Sequence, residues 1–129
     1  MKSILLLVVL LIFGACTPEK MMNKKLDGQW ELLTINSEKL DTNYSKFITF
    51  SENKEGERVV YSETINGITT TKSGNYALIK TGAISIAFPN SNFGSGYETE
   101  TYDFVSTSKT DLVITQTSPG NKLYTFKKI

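Results

Sequence analysis

The sequence offers few side chains that could do covalent chemistry. It contains one cysteine, Cys16, and no histidine. Cys16 comes directly after Gly14 and Ala15, which follow a run of ten apolar residues, 4–13, with Lys2 in front of it. A short positive start, an apolar core of this length and small residues before a cleavage site are typical of a secretory signal. A membrane-spanning helix needs about 20 apolar residues, so residues 1–15 are predicted to be a cleaved signal peptide.

The absence of histidine and of a second cysteine restricts what the rest of the chain could catalyse. A zinc site, a Cys–His pair and a Ser–His–Asp triad all depend on these residue types. A disulfide bond within the chain is excluded because it needs two cysteines. We therefore predict no enzymatic activity, no catalytic residues, no metal site and no cofactor.

Three acidic residues, Glu98, Glu100 and Asp103, lie close together in one predicted strand. Strand alternation places Glu98 and Glu100 on one face and Asp103 on the other. If the first two were buried they could share a proton, because two close carboxylates raise the pKa of one of them. The simpler interpretation, which we favour, is a solvated outer stripe paired with lysines of neighbouring strands.

A polar, glycine-rich segment at residues 89–96 is the second candidate site. It contains Phe93 and is followed by Tyr97 at the start of a strand. Loops that connect strands often carry recognition, so Phe93, Gly94, Gly96 and Tyr97 form a candidate binding loop. The favoured alternative is a long hairpin connection with one aromatic side chain folded back onto the core.

The charge balance gives no reason to expect a nucleic-acid partner. Loss of Lys2 with the signal reduces 14 basic residues to 13, which equals the 13 acidic ones. A neutral balance provides no general attraction to nucleic acid or to an anionic membrane surface. The remaining length suits one domain, and we expect a monomer.

From residue 26 onward, short apolar and aromatic runs alternate with period two between turn residues, which is typical of an all-β protein. Residues 16–25 show no periodicity and are predicted to be a tether, and residues 37–43 could form one helical turn. Tight turns favour antiparallel up-and-down pairing, and closure into an eight-stranded barrel removes the two sheet edges. The eight predicted strands are residues 28–35, 46–51, 57–64, 68–80, 83–88, 97–105, 111–117 and 122–129.

The residues before and including the cysteine, FGAC at 13–16, resemble the lipobox of bacterial lipoproteins. That resemblance implies cleavage before Cys16, a diacylglyceryl group on its thiol and further acylation, of the palmitate type, at the new amino terminus. Several acyl chains anchor a protein stably in a membrane. The expected location is the bacterial cell envelope, with the outer membrane favoured.

Residues 26–129 resemble a lipocalin-like barrel of the kind found in Bacteroidetes-type lipoproteins. The resemblance rests on LDGQW at 26–30, SGNYAL at 73–78 and LYTFKK at 123–128. In lipocalins the Gly-x-Trp element, here Gly28 and Trp30, opens the first strand, and the tryptophan packs across the closed base of the barrel.

Two functions follow from this resemblance. The first is the binding of a small apolar or amphipathic ligand in the open end of the barrel. The second is a solid-cored module that binds an envelope protein, as a scaffold or an inhibitor. Small barrel lipoproteins that inhibit lysozymes have the pattern Ser-Gly-x-x-Tyr, whereas SGNY at 73–76 is one residue shorter, which argues against that particular activity.

Overall fold

The computed structural model describes residues 18–53, 56–80, 82–90 and 96–129. These residues form one short helix and nine strands. The elements are α1 Pro18–Leu26, β1 Gly28–Ile35, β2 Glu38–Lys39, β3 Tyr44–Asn53, β4 Gly56–Ile65, β5 Ile68–Lys80, β6 Ala83–Asn90, β7 Gly96–Thr107, β8 Asp111–Ser118 and β9 Leu123–Lys128.

The long strands form a closed antiparallel barrel. Strands β1 and β3 to β9 pair in chain order, and β9 pairs back with β1. This confirms the predicted all-β, eight-stranded up-and-down barrel, and β1 and β5 have the predicted bounds. Closure supplies each long strand with two neighbours over at least part of its length, although residues 68–74 of β5 pair with β4 alone.

The ninth strand, β2, was not expected. The sequence allowed one helical turn in residues 37–43, and the structure has none there. Asn36 and Ser37 have positive φ angles of 51° and 65°, which reverse the chain so that β2 pairs with the end of β1. Asparagine tolerates the left-handed region, and the reversal pairs Lys39 with Thr34 and Glu38 with Ile35.

Part of the segment predicted as a tether is helical. The last residue of α1, Leu26, is fully buried, and Met22 packs against the core. The carbonyl of Leu26 accepts a 2.8 Å hydrogen bond from the indole Nε1 of Trp30. A nine-residue helix is marginal alone, so these contacts with the barrel explain its presence. No helix in the described part of the chain is long and apolar enough to cross a membrane.

The barrel interior changes from apolar at the end that α1 covers, here called the base, to charged near the opposite, open end. Near the base the inward side chains of different strands form one buried cluster. On β3, the inward face continues from Ile48 to Lys46 toward the open end; on β4 it continues from Tyr61 to Glu63. The base cluster includes Trp30, Phe50, Val59, Tyr76, Leu112 and Phe126.

Asn66 and Gly67 form the turn of the β4–β5 hairpin. Their φ angles are 52° and 80°, and Ile65 pairs directly with Ile68 on either side. Two positive φ values are what a type I′ turn requires. This turn lies at the open end of the barrel.

A glycine inside a strand, such as Gly74 in β5, often marks a bulge or a sharp bend. The pairing of β5 with β4 runs without a shift through Val59 and Gly74, so no bulge occurs there. The glycine is needed instead for close packing, because a Cβ at this position would collide with the carbonyl oxygen of Ala87 and the ring of Phe88. Gly74 thus leaves room for Phe88, which is fully buried in the barrel interior.

We expect Gly74→Ala to lower the free energy of unfolding by about 2 kcal/mol, because overpacking a filled interior forces the neighbours to move. Urea unfolding measures this change. Gly82→Ala is the matched control, since a Cβ at Gly82 meets no atom within 4 Å. Equal stabilities of the two variants would contradict the packing role of Gly74.

Candidate ligand-binding site

A small polar chamber lies inside the barrel near its open end. Its volume is ≈ 220 Å³. The strand register brings its walls together, since Glu63 pairs with both Lys46 and Thr70, and Tyr61 pairs with Lys72. The lining residues are Lys46, Tyr61, Glu63, Thr70, Lys72 and Glu100.

The two carboxylates of the chamber accept hydrogen bonds from tyrosine hydroxyls. Oε1 of Glu100 accepts from Tyr61 at 2.9 Å and from Tyr102 at 2.7 Å. Oε2 of Glu63 accepts from Tyr44 at 2.7 Å. Tyr61 lies on β4 and Tyr102 on β7, strands that are not neighbours, so Glu100 joins two separated parts of the wall from the inside.

This position of Glu100 corrects a prediction. Glu98 and Glu100 were expected to form a solvated outer stripe, but Glu100 lines the inner chamber. The register explains the difference, because Glu98 pairs with Phe88 and Glu100 with Ile86, both of which face the core. Asp103 lies on the opposite, exposed face, as strand alternation predicted.

The two lysines of the chamber have different surroundings. Nζ of Lys72 forms a 2.7 Å ion pair with Glu98 and lies 4.4 Å from the ring centroid of Phe88. Nζ of Lys46 lies 4.3 Å from the ring centroid of Tyr61. Burial lowers the pKa of Lys46, an effect opposed by Glu100 and Glu63 and strengthened by the nearby positive charge of Lys72.

Five of the six tyrosines have a pKa above the ordinary value of 10.0, chiefly because burial disfavours the phenolate. Hydrogen bonds to Glu63 and Glu100 add to this effect at Tyr44, Tyr61 and Tyr102. The remaining two of the five are Tyr76 and Tyr124.

We expect these five phenols to ionise at a higher pH in the folded chain than in the unfolded chain. A pKa that is higher in the folded state contributes stability that is present below pH 10 and is lost as the pH rises above it. At about pH 11 the phenolate absorbance of the folded chain should stay far below that of the chain in urea, where tyrosine pKa values are near 10. Equal phenolate absorbance in a chain that circular dichroism shows to be folded would contradict the burial of these hydroxyls.

A larger cavity of ≈ 530 Å³ lies at the mouth of the barrel. Ile35, Leu40 and Ile65 contribute apolar wall, and Lys39 is among its charged residues. Tyr44 also lines this outer cavity while its hydroxyl binds Glu63 of the inner chamber. Tyr44 therefore stands between the two spaces.

The outer cavity lies where the barrel wall is incomplete. β1 pairs with β3 only as far as Glu31 and Phe47. The last two residues of β1, Thr34 and Ile35, pair with β2 instead. Within the described strands, the first residues of β3, Tyr44 to Lys46, thus have no ladder partner on the side of β1. The outer cavity is bordered by this segment, by β2 and by the β1–β2 turn.

The structure separates the residues that the sequence singled out. Gly28 and Trp30 lie at the base, where Lys128 passes over the indole ring with Nζ 5.2 Å from its centroid. Gly96 and Tyr97 begin β7 at the open end, and the Tyr97 side chain is 69% exposed. Neither of them lines the two cavities described above. Cys16, Phe93 and Gly94 lie outside the described residues.

The chamber residues that sequence reasoning missed left a visible signal. Lys46 shares its strand face with Ile48 and Phe50, and Lys72 shares its face with Gly74 and Tyr76. A charged residue in phase with core residues indicates a charge directed into the barrel. Among the described residues, no group of three or more Cys, Asp and Glu side chains is placed to hold a metal ion.

Comparison with known proteins identifies the fold. No family model and no curated protein matches the sequence. A lipocalin-like protein from Bacteroides uniformis matches 81% of this chain and 99% of its own, with a TM-score of 0.58 and 23% identity. A redesigned β-barrel matches 83% of this chain and 93% of its own, with a TM-score of 0.55 and 17% identity.

A third solved structure extends the comparison to a binding protein. As-p18, an extracellular fatty acid binding protein, matches 82% of this chain and 97% of its own, with a TM-score of 0.50 and 12% identity. At these identities the likeness concerns the fold. Together with the closed eight-stranded barrel, it shows that this chain has a lipocalin-like fold.

Proposed function

We propose that the protein binds a small amphipathic ligand at the open end of its barrel. The observation that carries this proposal is the pair of adjoining cavities, one polar and internal, the other partly apolar and at the mouth. Ligand sites in proteins are concave, with apolar wall and a few placed polar groups. The inner chamber has the polar groups, and Ile35, Leu40 and Ile65 supply apolar wall outside it.

The packing of the barrel restricts where the ligand lies. The base half is filled by side chains such as Trp30, Phe50 and Phe126, all at most 2% exposed. A ligand that entered from the mouth would therefore place its polar group in the inner chamber and its apolar part over the outer cavity. The fatty acid binding protein with the same fold supports a ligand that combines an apolar chain with a polar end.

A variant that fills the chamber tests this proposal. Thr70 lines the chamber, whereas Thr71 pairs with Ser62 on the outer face of the sheet. We expect Thr70→Trp to abolish the binding of single-chain amphiphiles such as decanoate, and Thr71→Trp to leave it unchanged. Calorimetric titration and the melting temperature are the measurements. The fluorescence of Trp30 is unsuitable, because this residue lies at the closed base and is remote from the site.

The size of the expected effect follows from mass action. A ligand at a hundred times its Kd stabilises the folded state by about 2.7 kcal/mol, which corresponds to a rise of about 10 °C in the melting temperature of a domain of this size. A folded chain that shows neither heat of binding nor a melting shift with any amphiphile would refute the proposed function.

The alternative of a solid-cored interaction module has less support. It predicts an interior without space for a ligand, whereas the inner chamber leaves a space of ≈ 220 Å³ near the open end of the barrel. We also propose that the protein acts by binding and not by catalysis, since it has no histidine and Cys16 is its only thiol.

We further propose that the protein acts at the bacterial cell envelope, where lipid on Cys16 anchors it. The outer membrane is the location that we favour. The lipobox-like FGAC sequence at 13–16 supports this anchor.

Mass spectrometry of the mature amino terminus tests the anchor directly. We expect a chain that begins at Cys16 and carries diacylglyceryl and acyl groups. Cys16→Ser should release the protein from the membrane fraction without changing ligand binding. An unmodified terminus, or a mature chain that begins elsewhere, would refute the anchor and leave the ligand proposal intact.

A further inference from the structure

Two ammonium groups line the inner chamber, and only one of them has a carboxylate partner. Nζ of Lys72 is paired with Glu98 at 2.7 Å. Nζ of Lys46 contacts the face of the Tyr61 ring, and the described residues provide it with no hydrogen bond and no ion pair. An ammonium can donate three hydrogen bonds, so Lys46 presents unused donors to the chamber.

Neither carboxylate that lines the chamber forms an ion pair with Lys46. Glu63 accepts a hydroxyl from Tyr44, and Glu100 accepts two, from Tyr61 and Tyr102. These bonds hold the carboxylates against the wall. Glu63 and Glu100 favour the charged form of Lys46 through space, while Lys72 disfavours it. The two ammonium groups lie over neighbouring rings, that of Lys46 over Tyr61 and that of Lys72 over Phe88, whose centroids are 4.8 Å apart.

We propose that the ligand is an amphipathic anion whose oxyanion group binds between Lys46 and Lys72. This inference rests on the proposed function and specifies the chemistry of its ligand. The oxyanion would accept hydrogen bonds from the unpaired ammonium of Lys46 and reduce the repulsion between the two lysines. Hydrogen bonds between ionised partners are stronger than neutral ones, and this chamber is shielded from bulk water on the side of the base.

The four charged residues that line the chamber are two lysines and two glutamates, so the net charge of the lining is zero. Glu98 is the further acidic group nearby, and it competes with the ligand for Lys72. The Lys72–Glu98 pair is exposed, with 45% and 52% of its side-chain surfaces accessible. Exposed ion pairs are weak, so an incoming anion can replace Glu98 at small cost.

A set of ligands with one alkyl chain and different heads tests the charge of the ligand. Decanoate and decyl phosphate carry oxyanions, decanol is neutral and decylamine is cationic. We expect both oxyanions to bind at least about tenfold more tightly than decanol, as a single charged hydrogen bond would give, and decylamine to bind weakest. The comparison of decanoate with decyl phosphate identifies which oxyanion the chamber prefers.

The outcomes separate this inference from the proposed function. If decanol or decylamine binds as tightly as decanoate, the anionic ligand is refuted while the binding function stands. If the folded chain binds none of the four compounds, the inference and the proposed function both fail. Calorimetric titration below the micelle concentration of each compound gives the affinities.

Substitutions in the chamber test the two lysines. Lys46→Met retains the apolar stem and removes the charge, and we expect it to weaken decanoate binding about 10- to 100-fold with little effect on decanol. Lys109→Met, at an exposed position near the base, is the control and should bind normally. If Lys46→Met binds decanoate like the control, Lys46 is not the anion site.

Glu98→Gln provides a test with the opposite sign. Removal of the competing carboxylate frees Lys72, so decanoate should bind more tightly, by about two- to fivefold. Lys72→Met should weaken binding instead. If the Lys72–Glu98 pair had a purely structural role, both variants would bind decanoate more weakly. A loss of affinity in Glu98→Gln would therefore overturn the proposed position of the anion.

Discussion

Trp30→Ala is expected to lower the free energy of unfolding by about 3–5 kcal/mol, the cost of truncating a large aromatic residue in a core. The Trp30 side chain is 0% exposed. Its loss would leave a cavity at the base and would remove the 2.8 Å hydrogen bond from Nε1 to the carbonyl of Leu26. The helix α1 should therefore also be destabilised, because it depends on this contact with the barrel. Urea unfolding followed by circular dichroism measures the change.

Two further variants separate the contributions of the Trp30 side chain. Leu33→Ala lies on the same strand with an exposed side chain, so it should cost about 0.5 kcal/mol or less. Trp30→Phe retains most of the packing and removes the hydrogen bond, so its cost should lie between the other two. A small effect of Trp30→Ala, similar to that of Leu33→Ala, would contradict a central role for Trp30 at the base.

The strands were predictable because their signals are local. The alternation of apolar and polar residues along a strand and a turn such as Asn66–Gly67 both depend on residues that are neighbours in the sequence. These local patterns predicted the bounds of β1 and β5 correctly. The helix α1 was missed because its stability comes from contacts between Leu26 and the barrel. No local pattern shows why residue 74 is a glycine, because the obstructing atoms belong to β6.

The candidate site was less predictable than the strands. Alternation correctly placed Glu98 and Glu100 on one face, but it could not say which face was inside, since a shift of one residue exchanges the two. Closure of the barrel decides this by pairing Glu100 with Ile86. Closure also brings Glu100 to Tyr61, which is 39 residues away in the sequence. The chamber therefore depends on register and long-range contact, neither of which a local pattern contains.

Glu100→Ala is expected to lower the free energy of unfolding by about 3 kcal/mol. The substitution removes the acceptor of both Tyr61 and Tyr102, whose side chains are buried. Hydrogen bonds to a charged group contribute about 1.5–3 kcal/mol each, and a buried donor without an acceptor costs about 1–3 kcal/mol. Loss of Glu100 also removes a negative charge that favours the protonated form of Lys46, which adds to the cost.

A double-mutant cycle tests whether Glu100 acts through the tyrosines. Tyr61→Phe alone should cost about 1 kcal/mol, but in the Glu100→Ala background it should cost nothing or be stabilising, because the hydroxyl no longer has an acceptor. Tyr76→Phe is the control, since its buried hydroxyl has no hydrogen-bond partner among the described residues; it should cost nothing in either background. Equal costs of Tyr61→Phe with and without Glu100 would show that the carboxylate does not hold the chamber wall together.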